Sequence, residues 1–235
     1  MIRRTAAAAT VPVTAALAIT LAAPAQASTS AKTVSYYGSC RLLVPSTARV
    51  VQGGTEVPVR VTGGCALHPI DVAVWRLSGA VQDPDVAFDT AFFLGGYRTT
   101  WDAQSRSPPG TRTWTGLGAV DDNDNFYSQD APRTTVKVGS WAGLQTKRSG
   151  NTITIDSRAV RYATSLDYTI PWAGQGATIQ YRTIGSSIWT NLKLATTNPK
   201  GAITYNYTTT AKRDYRVRYN EAAYIWGATS PTSRR

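Results

Sequence analysis

Short runs in which apolar residues alternate with others recur about every ten positions, each bounded by glycine, proline, asparagine or aspartate; this confines the chain to an all-β fold. Val57-Pro58-Val59-Arg60-Val61 alternates ahead of the Gly63-Gly64 turn. Ile70 to Leu77 alternates too, which predicts Ile70, Val72 and Val74 on one face of a strand. Val136-Lys137-Val138 closes a first set, and residues 139–143 read as a junction. A second set covers Thr152 to Ile155, Ala177 to Arg182, Trp189 to Leu194, Ala202 to Tyr207 and Tyr215 to Tyr219. Gly185-Ser186-Ser187 and Asn198-Pro199-Lys200-Gly201 separate its later members, and both are strong turn formers. The pattern is that of sandwiches rather than of βαβ units.

The first 27 residues have the composition of a signal peptide. Arg3 and Arg4 form a positive start, Val11 to Ala23 an apolar stretch, and Ala25-Gln26-Ala27 a cleavage pattern placing Ser28 at the mature N-terminus. The apolar stretch is shorter than the roughly 20 residues a membrane span takes. No bulky apolar residue follows the arginines, so export by the general secretory route is expected over the twin-arginine route. The mature chain is expected outside the cell, with no membrane insertion after cleavage. Two domains follow, at 28–140 and 141–235. All seven Trp, twelve Tyr and four Phe lie beyond residue 28, enough aromatic material to fill packed cores. Cys40 and Cys65 are the chain's two cysteines, and in an exported protein such a pair is expected to form a disulfide.

Charge divides the halves. Residues 28–140 hold ten basic and ten acidic side chains, whereas residues 141–235 hold thirteen basic against four acidic, a net +9. Asymmetry of this size implies different partners for the two halves.

Pro109-Gly110, then Ala119-Val120-Asp121 leading to Asn125, then Arg133-Thr134-Thr135-Val136-Lys137-Val138 resemble the closing strands of bacterial immunoglobulin-like domains, with Asp124 where glycine is usual. Residues 176–182, Trp189, Gly201, residues 215–219 and Gly227-Ala228-Thr229-Ser230 resemble a module of small secreted actinobacterial proteins. The resemblance implies two tandem immunoglobulin-like β-sandwiches in a secreted setting and carries no activity; the non-enzymatic reading rests on the residues themselves. Antibody-type domains pair cysteines on either side of the core tryptophan, but both cysteines here precede Trp75. The bridge must then tie the N-terminal segment to the second strand or staple an edge.

No catalytic constellation stands out. His68 is the one histidine, held between Leu67 and Pro69, and no Gly-x-Ser-x-Gly offers it a nucleophile. Zinc lacks a ligand set. Asp83, Asp85 and Asp89 cluster and Glu56 and Asp71 stand alone, but nothing selects the carboxylate pair that glycoside hydrolysis needs. Asp121-Asp122-Asn123-Asp124-Asn125 is the one metal-loop candidate: its alternation matches the first calcium-ligand positions, yet Phe126 and Pro132 stand where that loop needs glycine and glutamate. A turn closed by Asp and Asn side chains is the preferred reading, and no cofactor is expected.

The basic half carries the functional expectation. With Tyr215, Val217 and Tyr219 inward, Arg216 and Arg218 project from the opposite face. Arg182 alternates with Tyr181, and Lys193 with Leu192 and Leu194 taken as inward. In neighbouring strands Arg182, Lys193, Arg216 and Arg218 would form a basic stripe, with Lys212 and Arg213 at its edge. Such a stripe attracts an anionic cell-wall polymer, polysaccharide or nucleic acid. Trp189, Tyr205 and Tyr207 fit either stacking or core roles. Two alternatives stand beside this: a carbohydrate-active or accessory protein, and an inhibitor of an extracellular enzyme using residues 102–109 as an insertion loop.

Overall fold

The described residues form two pairs of facing β-sheets. The computed structural model describes residues 35–67, 70–79, 89–103 and 108–235. The expected signal segment, His68, Asp83, Asp85 and residues 104–107 of the candidate insertion loop lie outside the described residues.

In the first pair the strands are β1 (Gly38–Leu43), β2 (Thr47–Val50), β3 (Thr55–Gly63), β4 (Ile70–Leu77), β5 (Thr90–Leu94), β6 (Arg98–Ala103), β7 (Gly110–Asp121), β8 (Tyr127–Gln129) and β9 (Arg133–Val138). A single helical turn, α1 (Gly64–Leu67), follows β3. One sheet has the order β6-β3-β1-β8 and the other β2-β9-β7-β4-β5. Pro45 interrupts the opening segment, so β1 pairs antiparallel with β3 while β2 crosses over and runs parallel to β9. A four-stranded sheet facing a five-stranded one that places β9, β7, β4 and β5 in that order is an immunoglobulin-like arrangement.

Alternation places the core. Val57, Val59 and Val61 of β3 are buried while Glu56, Pro58 and Arg60 are exposed. Trp75, Trp101 and Trp114 are fully buried, and each indole N–H has an acceptor: Asp130 O at 3.0 Å, Asp89 Oδ1 at 2.9 Å and Thr134 Oγ1 at 3.0 Å. Trp101 and Trp114 meet edge-on with centroids 5.1 Å apart. Asp89, grouped with the acidic cluster in the sequence, is instead buried beside Arg112 at 3.4 Å, an ion pair within the core.

The face expected for β4 is corrected by the structure. The pairing of β4 with β7 slips between Ile70 and Val72, so Ala73, Trp75 and Leu77 point inward after Ile70, and Val72 and Val74 turn outward. A β-bulge reverses alternation beyond it.

The second pair holds β10 (Ser140–Ser149), β11 (Thr152–Ala163), β12 (Tyr168–Pro171), β13 (Gly176–Thr183), β14 (Thr190–Thr196), β15 (Ala202–Thr208), β16 (Arg213–Tyr219), β17 (Ala228–Thr229) and β18 (Ser233–Arg234). β10, β11 and β15 form one sheet, with β12 on the end of β11. β14-β13-β16 form the other, and β17 and β18 line the far side of β16. Ile153, Ile155, Ile179, Ile203, Tyr215, Val217 and Tyr219 fill the space between them. Gly201 holds the turn before β15 at φ +71°, where an added Cβ would stand 2.4 Å from the Ala159 carbonyl oxygen.

Only Gly139 separates β9 from β10. Tyr162, on β11 of the second pair, is buried in the first hydrophobic cluster. Its N–H donates to Gly139 O at 2.9 Å, and its hydroxyl donates to Asp167, which also accepts the Gly53 N–H at 3.1 Å. Val138 bonds to Tyr224 and Trp226 through backbone groups, and Lys137 pairs with Glu221 and sits above the Trp226 ring. Residues 35–235 accordingly gather as one compact unit.

Candidate functional site

β13 lies between β14 and β16, and directly opposed residues of neighbouring strands share a face. Three rows therefore cross the outer side of this sheet. Leu194, Thr178 and Arg218 make the first, Asn191, Gln180 and Arg216 the second, and Arg182, Asp214 and Arg234 the third.

The second row is a hydrogen-bonded chain: Arg216 Nε donates to Gln180 Oε1 at 2.8 Å, and Gln180 Nε2 donates to Asn191 Oδ1 at 2.8 Å. In the third row Asp214 is buried between two guanidiniums, accepting from Arg234 Nε at 2.8 Å and Arg182 Nε at 3.1 Å. The Arg234 hydrogen bond, and then that of Arg182, hold this carboxyl below its ordinary range although burial opposes them. Trp189, just ahead of β14, joins the rows. Its ring lies 4.1 Å from Arg216 Cζ and 4.7 Å from Arg182 Cζ. Burial, then repulsion from Arg218 and Arg182, lowers the Arg216 pKa. Arg218 is exposed.

The sequence-predicted residues divide on this face. Arg182, Arg216 and Arg218 come together. Lys193 does not join them: the pairing slips between Ile179 and Gln180, Leu192 becomes the extra residue, and Lys193 stands opposite core-facing Ile179. The same bulge turns Leu194 outward, 72% exposed, where alternation had it inward. Arg213 leaves the stripe's edge as well. It shares the inward parity of Tyr215, lies 4.1 Å from the Tyr181 centroid and donates to the Tyr207 hydroxyl at 2.7 Å. Tyr207 stacks on Tyr181 and serves the core rather than the surface. Sequence reasoning missed Arg234 and Asp214; the signal for Trp189 was its position directly after a turn that follows Arg182.

Elsewhere the candidate residues are committed to structure. Cys40 and Cys65 form a disulfide that joins β1 to the turn after its neighbour β3, a staple within one sheet. Asp121 Oδ1 accepts the N–H groups of Asn123 and Asn125, both at 3.0 Å. Its Oδ2 accepts Asn125 Nδ2 at 3.1 Å and the Tyr127 hydroxyl at 3.0 Å. Asp122 accepts from Asn123 Nδ2, and Asp124 takes a left-handed φ of +60°. This is a side-chain-closed turn. Among the described residues no three His, Cys, Asp or Glu side chains gather to hold a metal, and no helix is long and apolar enough to cross a membrane.

No family model and no curated protein matches the chain. It is similar to a chain of a cytokine receptor complex, at 13% identity over 83% of this chain and 94% of that one, with a TM-score of 0.40. It is also similar to the D0-D1 domain of intimin, at 13% identity over 83% and 96%, TM-score 0.27. The human OSCAR ligand-binding domain matches at 10% identity over 85% and 99%, TM-score 0.29.

Proposed function

We propose that this is a secreted, non-enzymatic binding protein that associates with an anionic cell-envelope or extracellular polymer through the outer face of β14, β13 and β16. The carrying observation is that four guanidiniums, Arg182, Arg216, Arg218 and Arg234, share this face with a single carboxylate, Asp214. The half that bears them has net charge +9. A guanidinium resting on an indole is held in place yet keeps terminal N–H groups for phosphate, sulfate or carboxylate oxygens. The indole thus lowers the ordering cost of two contacts at once. The Cys40–Cys65 bridge and the signal-like first 27 residues support an extracellular setting.

The test is co-sedimentation of residues 28–235 with teichoic-acid-bearing cell walls, and retention on heparin beads, over a salt series. Binding at low salt, steep release as salt rises, and loss in the combined Arg182→Ala, Arg216→Ala and Arg218→Ala variant are expected. A protein that stays in solution at every salt concentration, or a triple variant that binds like the parent, overturns the reading.

A further inference from the structure

At its β5, β4 and β7 corner the outer face of the sheet β2-β9-β7-β4-β5 is apolar where a solvated sheet face should be polar, whereas β2 and β9 turn Arg49, Lys137 and Arg133 to the same side. Leu94 on β5 opposes Val72 on β4, Val72 opposes Val120 on β7, and Val120 is bridged to Phe126. In the adjoining row Phe92 opposes Val74, and Val74 opposes Gly118. The slip between Val74 and Trp75 makes Leu117 an extra, unpaired residue beside them. Leu94 is 69% exposed, Phe126 55%, Leu117 50% and Phe92 49%.

We propose that this face is a self-association surface, on which a second copy of the chain docks by two-fold symmetry. Two observations favour a like partner. First, none of the residues in the two rows carries a charge, so a symmetric contact centred on them buries no charge, and Arg76 of the row beyond Val74 stays at its rim. The strongly basic half would oppose the same contact through its own surface. Second, the face has both projecting side chains and open space beside them. Phe92 and Leu94 stand out from the outermost strand, whereas an added Cβ at Gly118 would meet no atom within 4 Å. A two-fold operation can set the large side chains of one copy over the glycine of the other.

The area fits as well. Four large side chains, each about half exposed or more, offer on the order of 400 Å² of apolar surface, taking about 200 Å² for each. Patches of roughly 300–600 Å² are the largest on typical monomers and often functional. Two such faces supply most of the roughly 1,000 Å² in total that a specific interface needs, and their rims supply the rest.

Sedimentation velocity of residues 28–235 from low to high micromolar concentration, with no polymer present, tests this independently of polymer binding. A monomer–dimer equilibrium is expected, with the dimer weakened at least about 100-fold in the Phe92→Asp/Leu94→Lys variant, as for loss of two central anchors. Leu117→Lys, at a separate exposed position, is expected to weaken it too, while Leu194→Lys on the other sandwich leaves it unchanged. Melting temperatures matching the parent show that the variants fold. A monomer at every concentration up to about 0.1 mM, or a dimer indifferent to both Phe92→Asp/Leu94→Lys and Leu117→Lys, overturns the proposal.

Discussion

The Tyr127 hydroxyl donates a 3.0 Å hydrogen bond to Asp121 Oδ2, tying the turn between β7 and β8 to the first residue of β8. Each group moves the other's titration. Burial alone would raise the Asp121 pKa, but donors from Asn125, Asn123 and Tyr127 outweigh it and bring the value to about 2, from an ordinary 3.8. Burial first, then the Asp121 carboxylate, pushes Tyr127 from 10.0 to about 12. A depressed acid stabilises the fold above its unfolded pKa, so this contribution is complete above about pH 3.8 and lost as pH falls toward 2. The raised tyrosine works at the other end, contributing fully below pH 10 and losing its effect as pH rises toward 12. Urea midpoints measured against pH should show both limbs. Asp121→Asn should flatten the acid limb and Tyr127→Phe the alkaline one. Calcium should leave the melting temperature unchanged, because both Asp121 oxygens already accept two hydrogen bonds.

Reduction of the Cys40–Cys65 bridge should destabilise the protein without changing its architecture. The cysteines are 25 positions apart, and closing a loop of that size is worth about 3–4 kcal/mol on the chain-entropy model. Because the staple joins neighbouring strands of one sheet, the two sheets do not depend on it for contact. Denaturant unfolding with and without reductant measures the loss. The oxidised chain should weigh two hydrogens less than the free-thiol form.

The two sandwiches should unfold together through Tyr162. It belongs by sequence to β11 and by packing to the first core, so the first core is not complete without the second part. Tyr162→Ala should cost about 3–5 kcal/mol, as for other large aromatics removed from cores. Tyr162→Phe keeps the ring and loses only the hydrogen bond to Asp167, a cost of about 1–3 kcal/mol. Calorimetry should show one transition for the parent and two for the alanine variant.

These contacts show what a linear reading reaches. β3 was legible because Val57, Val59 and Val61 alternate without interruption and the strand is regular. β4 was legible as a strand but not in its faces, because the bulge at Ile70–Val72 is imposed by β7, nearly fifty residues away in the chain. The cysteines were legible as a pair, whereas their placement within one sheet depends on the β1–β3 register. Arg216 and Arg218 could be assigned a shared face from parity, and Arg182 joined them only on the strand adjacency that the resemblance implies. Lys193 could not, since one extra residue, Leu192, reverses parity. Tyr162 gave no local signal at all: a buried tyrosine at a strand end looks the same whichever core receives it.

The arginines of the polymer-binding face should contribute unequally, and Asp214 decides the order. Arg182 and Arg234 already share that buried carboxylate, so part of their charge is cancelled before any polymer arrives. Arg218 stands exposed in a row whose other members, Leu194 and Thr178, are uncharged. Counterion release makes log affinity fall linearly with log salt, by about 0.7–0.9 in slope per phosphate contact. Arg218→Ala should reduce the slope by nearly that full step, and Arg182→Ala by less. Trp189→Ala should weaken binding while leaving the slope almost unchanged, because it frees two guanidiniums to move without removing charge. Fluorescence titrations with a defined polyphosphate at four or more salt concentrations separate these outcomes. Equal slopes for the two arginine variants would show that Asp214 does not set the charge available to the polymer.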